Sequence, residues 1–172
     1  MRAIGRWTLV LIAVLAAVPA MAGKIGFVDA ERAVASVAQG EIKLKELEAW
    51  ANPRREQIEQ LRAQALELRD QLEKQRNVSP PEVVAKLEQD LQTAGRRFED
   101  SGRSFNRELE AKQNELLGEV AQRVGQVASD YAKANDYDAI FVLNTQPMIY
   151  VSEAADLTDV VVGLYDEQFP VN

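Results

Sequence analysis

The chain has 172 residues, 20 of them basic and 27 acidic, a formal net charge of −7, and neither Cys nor His. Those absences exclude disulfides, thiol nucleophiles, the usual zinc sites and any catalytic triad built on imidazole. With no Gly-rich phosphate loop, no acid pair that stands out and no basic stripe, the expectation is no enzyme, no cofactor and no nucleic-acid partner.

The chain opens on a targeting pattern. Arg2 and Arg6 form a positive region, Trp7 to Ala17 is a short apolar run, and Ala20-Met21-Ala22 is a small-x-small cleavage site. The run is shorter than the ~20 residues of a membrane span; the alternative is a retained N-terminal anchor. Residues 1–22 are thus expected to be a signal peptide, cleaved after Ala22, with the mature chain starting at Gly23 and exported. No Cys follows the run, so no lipid attachment is expected. Loss of Arg2 and Arg6 leaves 18 basic residues against 27 acidic, a net −9.

Lys24-Ile25-Gly26-Phe27-Val28-Asp29 is a short strand candidate, apolar on both faces and so expected to be covered on both. Ala30 to Val37 reads as a short helix broken near Gly40. Helix one then runs from about Glu41 to Arg76. Its apolar positions Leu44, Leu47, Ala51, Ile58, Leu61, Ala65, Leu68 and Leu72 follow the 3-4 spacing of a coiled-coil seam. Asn77-Val78-Ser79-Pro80-Pro81 is a reversal, with the prolines as a stop between helices. Helix two runs from about Glu82 to Ala134 on the seam Val84, Leu87, Leu91, Ala94, Phe98, Ser101 and Phe105, and its phase shifts around Phe105 as in a stutter. Phe98 and Phe105 sit on this period and are expected to fill the seam.

The mirror position of Phe105 across the reversal is Pro53. Proline lacks an N–H and clashes with the preceding turn, so Asn52-Pro53 is expected to break helix one, with Asn52 capping a restarted helix. Gly95 and Gly102 lie one heptad apart in helix two, each costing about 1 kcal/mol relative to Ala. With Asn52 and Pro53 they form a candidate hinge; the alternative is that the glycines only permit close helix approach. Beyond the break, at ~1.5 Å per residue, the arms extend roughly 35 Å, and helix one in full ~55 Å. Trp50, near the arm base, is expected to pack on the body. Below the break helix two has a wider apolar face (Leu116, Leu117, Val120, Ala121, Val124, Val127) that should also pack there.

Ala139-Ile140-Phe141-Val142-Leu143 and Met148-Ile149-Tyr150-Val151 around Asn144-Thr145-Gln146-Pro147 read as a β-hairpin. A last helix is opened by Asp156, with Asp159 in its first turn and Val160, Val161, Leu164 and Tyr165 following. Fold class is therefore α+β, mostly α: a long antiparallel coiled-coil hairpin over 41–134 projecting from a small β-sheet body made of 23–40 and 135–172. So small a core is marginal alone, and oligomerisation is the natural remedy. Ile25, Phe27, Ile140, Val142, Ile149 and Val151 are the residues expected at the shared interface. Charge is uneven: residues 135–172 hold seven acids and no base, whereas Arg54 to Arg107 hold 11 bases and 10 acids.

The signal pattern followed by Lys24-Ile25-Gly26-Phe27-Val28, the hairpin with Lys86-Leu87-Glu88-Gln89-Asp90-Leu91 after its tip, Asp138-Ala139-Ile140-Phe141-Val142-Leu143 and Asp156-Leu157-Thr158-Asp159-Val160 resemble, in that order, the Skp/OmpH family of Gram-negative periplasmic chaperones of outer-membrane proteins. The resemblance covers essentially the whole mature chain; this chain departs from it in being acidic. It implies a homotrimer around a small β-barrel, whose helical arms hold unfolded outer-membrane proteins without ATP. With the seam filled, client contact falls to Arg69, Val78, Val83 and Arg103, whose stems can cover apolar surface. A lipopolysaccharide or membrane-surface contact in that family uses basic arm residues, and Arg96 and Arg97 lie in a comparable part of this arm. Two other classes remain open: a structural coiled-coil spacer of the cell envelope, and a binding module for one folded partner.

Overall fold

The computed structural model describes residues 23–143 and 148–171. In chain order these are β1 (Lys24–Val28), α1 (Ala30–Ser36), α2 (Ala38–Gln75), α3 (Pro81–Ala134), β2 (Tyr137–Val142), a 3-10 turn over Glu153–Ala155 and α4 (Thr158–Gln168). The expected signal peptide and the tip of the expected β-hairpin lie outside the described residues. Among the described residues no helix is long and apolar enough to cross a membrane.

The core belongs to the body. Val28, Ala33, Val37, Val120, Val124, Val127, Ala128, Leu157, Val161 and Tyr165 form one buried cluster drawn from β1, α1, the base of α3 and α4. The valines of α3 recur at helical spacing, so its lowest turns present one apolar stripe to the body, as their sequence period requires. The helix start signals act at both ends of this core. Asp29 accepts the Arg32 N–H at 3.0 Å and caps α1, while Asp156 accepts the Thr158 N–H at 2.9 Å at the head of α4.

The break between α1 and α2 lies at Val37, not near Gly40 as expected. Val37 is fully buried in an extended conformation, and Gly40 is inside α2. Gly40 is there for contact. A Cβ on it would fall 1.7 Å from the Val34 carbonyl oxygen, so only Gly lets the two helices meet at this angle. The new helix is capped from far away in sequence, because the Asp166 carboxylate on α4 accepts the Ala38 N–H at 3.0 Å.

The sheet differs from the expected hairpin. β2 pairs with β1, in parallel, giving among the described residues a two-stranded sheet that is not closed. Met148 to Val151 form no strand. The register slips between Lys24 and Ile25, so Asp138 is skipped: Lys24 faces Tyr137 and Ile25 faces Ala139. That slip sets the faces. Ile140 packs against the core, whereas Phe27 and Phe141 stack on the other side with ring centroids 5.9 Å apart. Of the two β2 residues expected at a shared interface, Ile140 packs against the core, whereas Val142 is 43% exposed and lines the outer surface with Ile25 and Phe27. Nor is β1 covered on both sides within the protomer, since Ile25 is 48% exposed. On its inner side Gly26 admits Leu157, whose Cδ1 would lie 2.4 Å from any Cβ there.

Candidate functional site

Helices α2 and α3 run antiparallel out of the body and form the arm. The seam residues Ile58, Leu61, Ala65, Leu68, Leu72, Val84, Leu87, Leu91, Ala94, Phe98 and Phe105 are all half-buried, none fully. Two helices alone have no third surface to close over their contact. Of the α2 residues, only Gly40 and Ala51 are buried, both at the base.

The expected break at Asn52-Pro53 is absent, because α2 continues from Ala38 to Gln75 with Pro53 inside it. The side chains around Pro53 account for this. Trp50 stacks on Phe105 of α3 with centroids 6.2 Å apart and planes 15° off parallel. The Arg54 guanidinium lies 4.0 Å over the Trp50 ring and donates to the Trp50 carbonyl at 2.8 Å. The carbonyl that Pro53 leaves without its helical donor is that of Ala49, so this bond braces the adjacent position and does not replace the lost one. Arg54 also reaches Glu108 at 3.8 Å, and the Arg55 guanidinium lies 5.9 Å from the centre of the Phe105 ring. Trp50 therefore packs on the arm's second helix and not on the body. The alternative offered for the glycines also fails within the protomer, since a Cβ on Gly95 or Gly102 would meet nothing within 4 Å.

At the tip, Val78 and Ser79 both donate their N–H to the Gln75 carbonyl, at 3.2 and 3.0 Å, and Pro81 begins α3. This leaves Val78 81% and Val83 41% exposed. Sequence periodicity missed Leu66, which lies off the seam and is 54% exposed; a large apolar residue out of phase with its neighbours was the available signal. Arg69, Arg96 and Arg97 are exposed and make no ion pair among the described residues. Arg103 is engaged, at 2.5 Å from Asp100 and 3.7 Å from Glu99. The tip residues and the Arg96-Arg97 pair are thus not gathered into one pocket but spread along the arm.

The body carries a second exposed apolar surface. Ile25, Phe27, Phe141, Val142 and Met148 line a shallow cleft on the outer side of the sheet. Ile149 beside it is fully exposed, and Val151 is half-buried. Phe141 and Met148 join this surface although the sequence pattern did not single them out for it.

Polar clusters pin the arm's root. Gln39 Oε1 accepts from the Tyr165 hydroxyl at 2.8 Å and from Arg123 at 3.3 Å, while Gln39 Nε2 donates to the Phe169 carbonyl at 3.3 Å. Burial pushes the Tyr165 hydroxyl above its ordinary range, against the pull of the nearby Arg123 guanidinium. On the opposite side Asp156 accepts from the Thr158 hydroxyl at 2.5 Å and pairs with Arg32 at 3.0 Å. Burial pushes the Asp156 carboxyl up, but the Thr158 hydrogen bonds and the Arg32 charge together hold it below its ordinary value. Among the described residues no group of three or more His, Cys, Asp or Glu could hold a metal ion.

This arrangement can be set beside known proteins. Among curated proteins no relative matches. A crystal structure of a protein described as an OmpH-like outer membrane chaperone, from Caulobacter crescentus CB15, superposes with a TM-score of 0.54, at 17% identity, over 87% of this chain and 88% of that one. At that identity the likeness shows the fold. The sequence profile of the family described as Outer membrane protein (OmpH-like) matches residues 24–164, from β1 into α4. The chain therefore belongs to the OmpH-like family.

Proposed function

We propose that this chain is an ATP-independent periplasmic holdase, which binds unfolded outer-membrane proteins and prevents their aggregation on the way to the outer membrane. In this reading residues 1–22 are removed on export. Residues 23–40 and 135–172 of several copies, three by family likeness, form a common body, and the 41–134 arms surround the client. The observation that carries it is the incompletely covered arm: a half-buried seam flanked by exposed Leu66, Val78 and Val83. Such a surface offers many weak apolar contacts, which suit a protein that must hold a chain and let it go. Arg69 and Arg103 add long apolar stems along the same arm. Family membership and the named neighbour support the same reading.

The test is dilution of a denatured outer-membrane barrel protein into buffer with and without this protein. Light scattering suppressed near one oligomer per client is expected, and unchanged scattering overturns the proposal. A coiled-coil spacer of the envelope is the second reading, favoured by the continuity of α2 through Pro53, since an unbroken helix is stiff. A spacer leaves scattering unchanged. The family's lipopolysaccharide contact would fall on Arg96 and Arg97. Replacing both by Ala should then abolish binding to lipopolysaccharide vesicles while leaving client protection intact.

A further inference from the structure

The first residues of β1 are clamped more tightly than a strand end needs. Asp138, skipped by the β1–β2 register, turns its carboxylate back and accepts the Lys24 backbone N–H on Oδ2 at 2.8 Å. The same oxygen lies against Gly23: a Cβ there would be 2.5 Å from Oδ2 and 3.2 Å from the carboxylate carbon. The Lys24 side chain does not compete for this carboxylate. Its Nζ lies 4.0 Å over the Tyr137 ring and donates to the Asn135 carbonyl at 3.2 Å. Asp138 makes no ion pair among the described residues, and its two oxygens have room for further donors.

We propose that Asp138 is a receptor for the chain's own new N-terminus: cleavage after Ala22 turns the Gly23 nitrogen from a neutral amide into an ammonium, which pairs with the Asp138 carboxylate. This rests on the reading that residues 1–22 are removed at Ala22. The nitrogen is bonded to the carbon against which the carboxylate packs, so the pair forms with little movement. Glycine at the new first position leaves Oδ2 where it is, whereas a side chain there would push the Asp138 carboxylate aside from the Lys24 N–H. In the precursor the same position carries no charge, so the β1 end of the body is tightened only in the processed chain.

The experiment begins with the intact mass of the exported protein, which fixes its first residue. A start at Gly23 is expected; a start elsewhere overturns both the processing reading and the clamp. Thermal midpoints are then compared for the free and the Nα-acetylated Gly23 chain, each with Asp138 and with Asp138→Asn. Acetylation should lower the midpoint by about 2 °C in the Asp138 chain and not in the variant. An equal shift in both, or none in the Asp138 chain starting at Gly23, overturns the clamp and leaves the processing reading standing. Should Asp138→Asn fail to fold, salt decides. The acetylation effect should vanish in ~1 M salt, where the screening length falls to about 3 Å; an effect that persists there is steric and overturns the pair.

Discussion

Asp156 ties three parts of the body together through one carboxylate. It receives the Thr158 N–H and hydroxyl at the head of α4 and faces Arg32 on α1, while the Thr158 hydroxyl accepts the Asp29 N–H at 2.9 Å at the end of β1. Thr158 is wholly buried, so its hydroxyl has no water to fall back on. Asp156→Asn should therefore cost about 1 kcal/mol, near 2–4 °C in midpoint for a chain of this size. The effect has a defined pH dependence. The folded carboxyl titrates below the ~3.9 of an unfolded Asp, so its contribution is complete above about pH 5. It shrinks as the pH falls and is gone once Asp156 is protonated in the fold. Thermal midpoints of the two proteins between pH 6 and pH 2, on a scale set by those values, should converge on acidification. A gap that stays constant would show that the charge of Asp156 does not matter.

At the scale of the helices, the arm combines continuity with three residues that weaken a helix. Pro53 removes one helical hydrogen bond, and Gly95 and Gly102 raise the backbone entropy cost. Open space around both glycines means that Ala fits without a clash, so Gly95→Ala and Gly102→Ala should each stabilise α3 by about 1 kcal/mol. Pro53→Ala should stabilise α2 by up to ~3 kcal/mol, less whatever the Trp50, Arg54 and Phe105 stack already recovers. If these residues form a hinge, the triple variant will be more stable, will exchange its arm amides more slowly, and will protect large clients less well than small ones. Unchanged protection across client sizes would remove the hinge. What the sequence disclosed follows from how local each determinant is. Seam periodicity, the tip prolines and Asp156 at the head of α4 are set within a few residues and were legible, whereas the Asp29 cap of α1 was not singled out. The continuity of α2 was not, because a stack with Phe105, far along the chain, offsets the local effect of Pro53. The parallel β1–β2 pairing was hidden for the same reason. Apolar alternation marks a strand but names neither its partner nor its phase, and Ile140, expected at an outer interface, packs against the core instead. Of the candidate client residues, Val78 and Val83 were legible as loop and helix-start positions, whereas Leu66 needed the packed arm to be seen as unpaired with the seam. Replacing Leu66, Val78 and Val83 together by Ser should leave the midpoint within ~0.5 kcal/mol of the parent, as exposed sites do. Scattering suppression by this variant should fall severalfold; undiminished protection would place client contact elsewhere.

At the scale of the molecule, the ratio of arm to core governs behaviour. α2 and α3 span ~57 and ~81 Å at ~1.5 Å per residue, yet one cluster of ten buried residues anchors them. A chain that also leaves Ile25, Phe141, Val142 and Met148 exposed beside a fully exposed Ile149 presents an apolar face next to the β1–β2 sheet. Covering that face with a second copy would bury Phe27 and Phe141 on both sides and enlarge the core without lengthening the chain. Stability should then depend on concentration, because only the associated state gains this burial. Ile25→Asp with Phe141→Asp places two carboxylates on the same face and should yield a monomer by light scattering, with a lower midpoint that no longer varies with dilution. Neither residue belongs to the buried cluster, so the isolated fold retains its Val28, Val124, Val161 and Tyr165 contacts. Such a monomer keeps both arm helices but cannot set several arms around one client. Loss of scattering suppression in a folded monomer would show that protection comes from enclosure by several arms. A monomer that protects as well per chain as the parent would instead locate the activity on a single arm, and would leave the shared body a purely stabilising role.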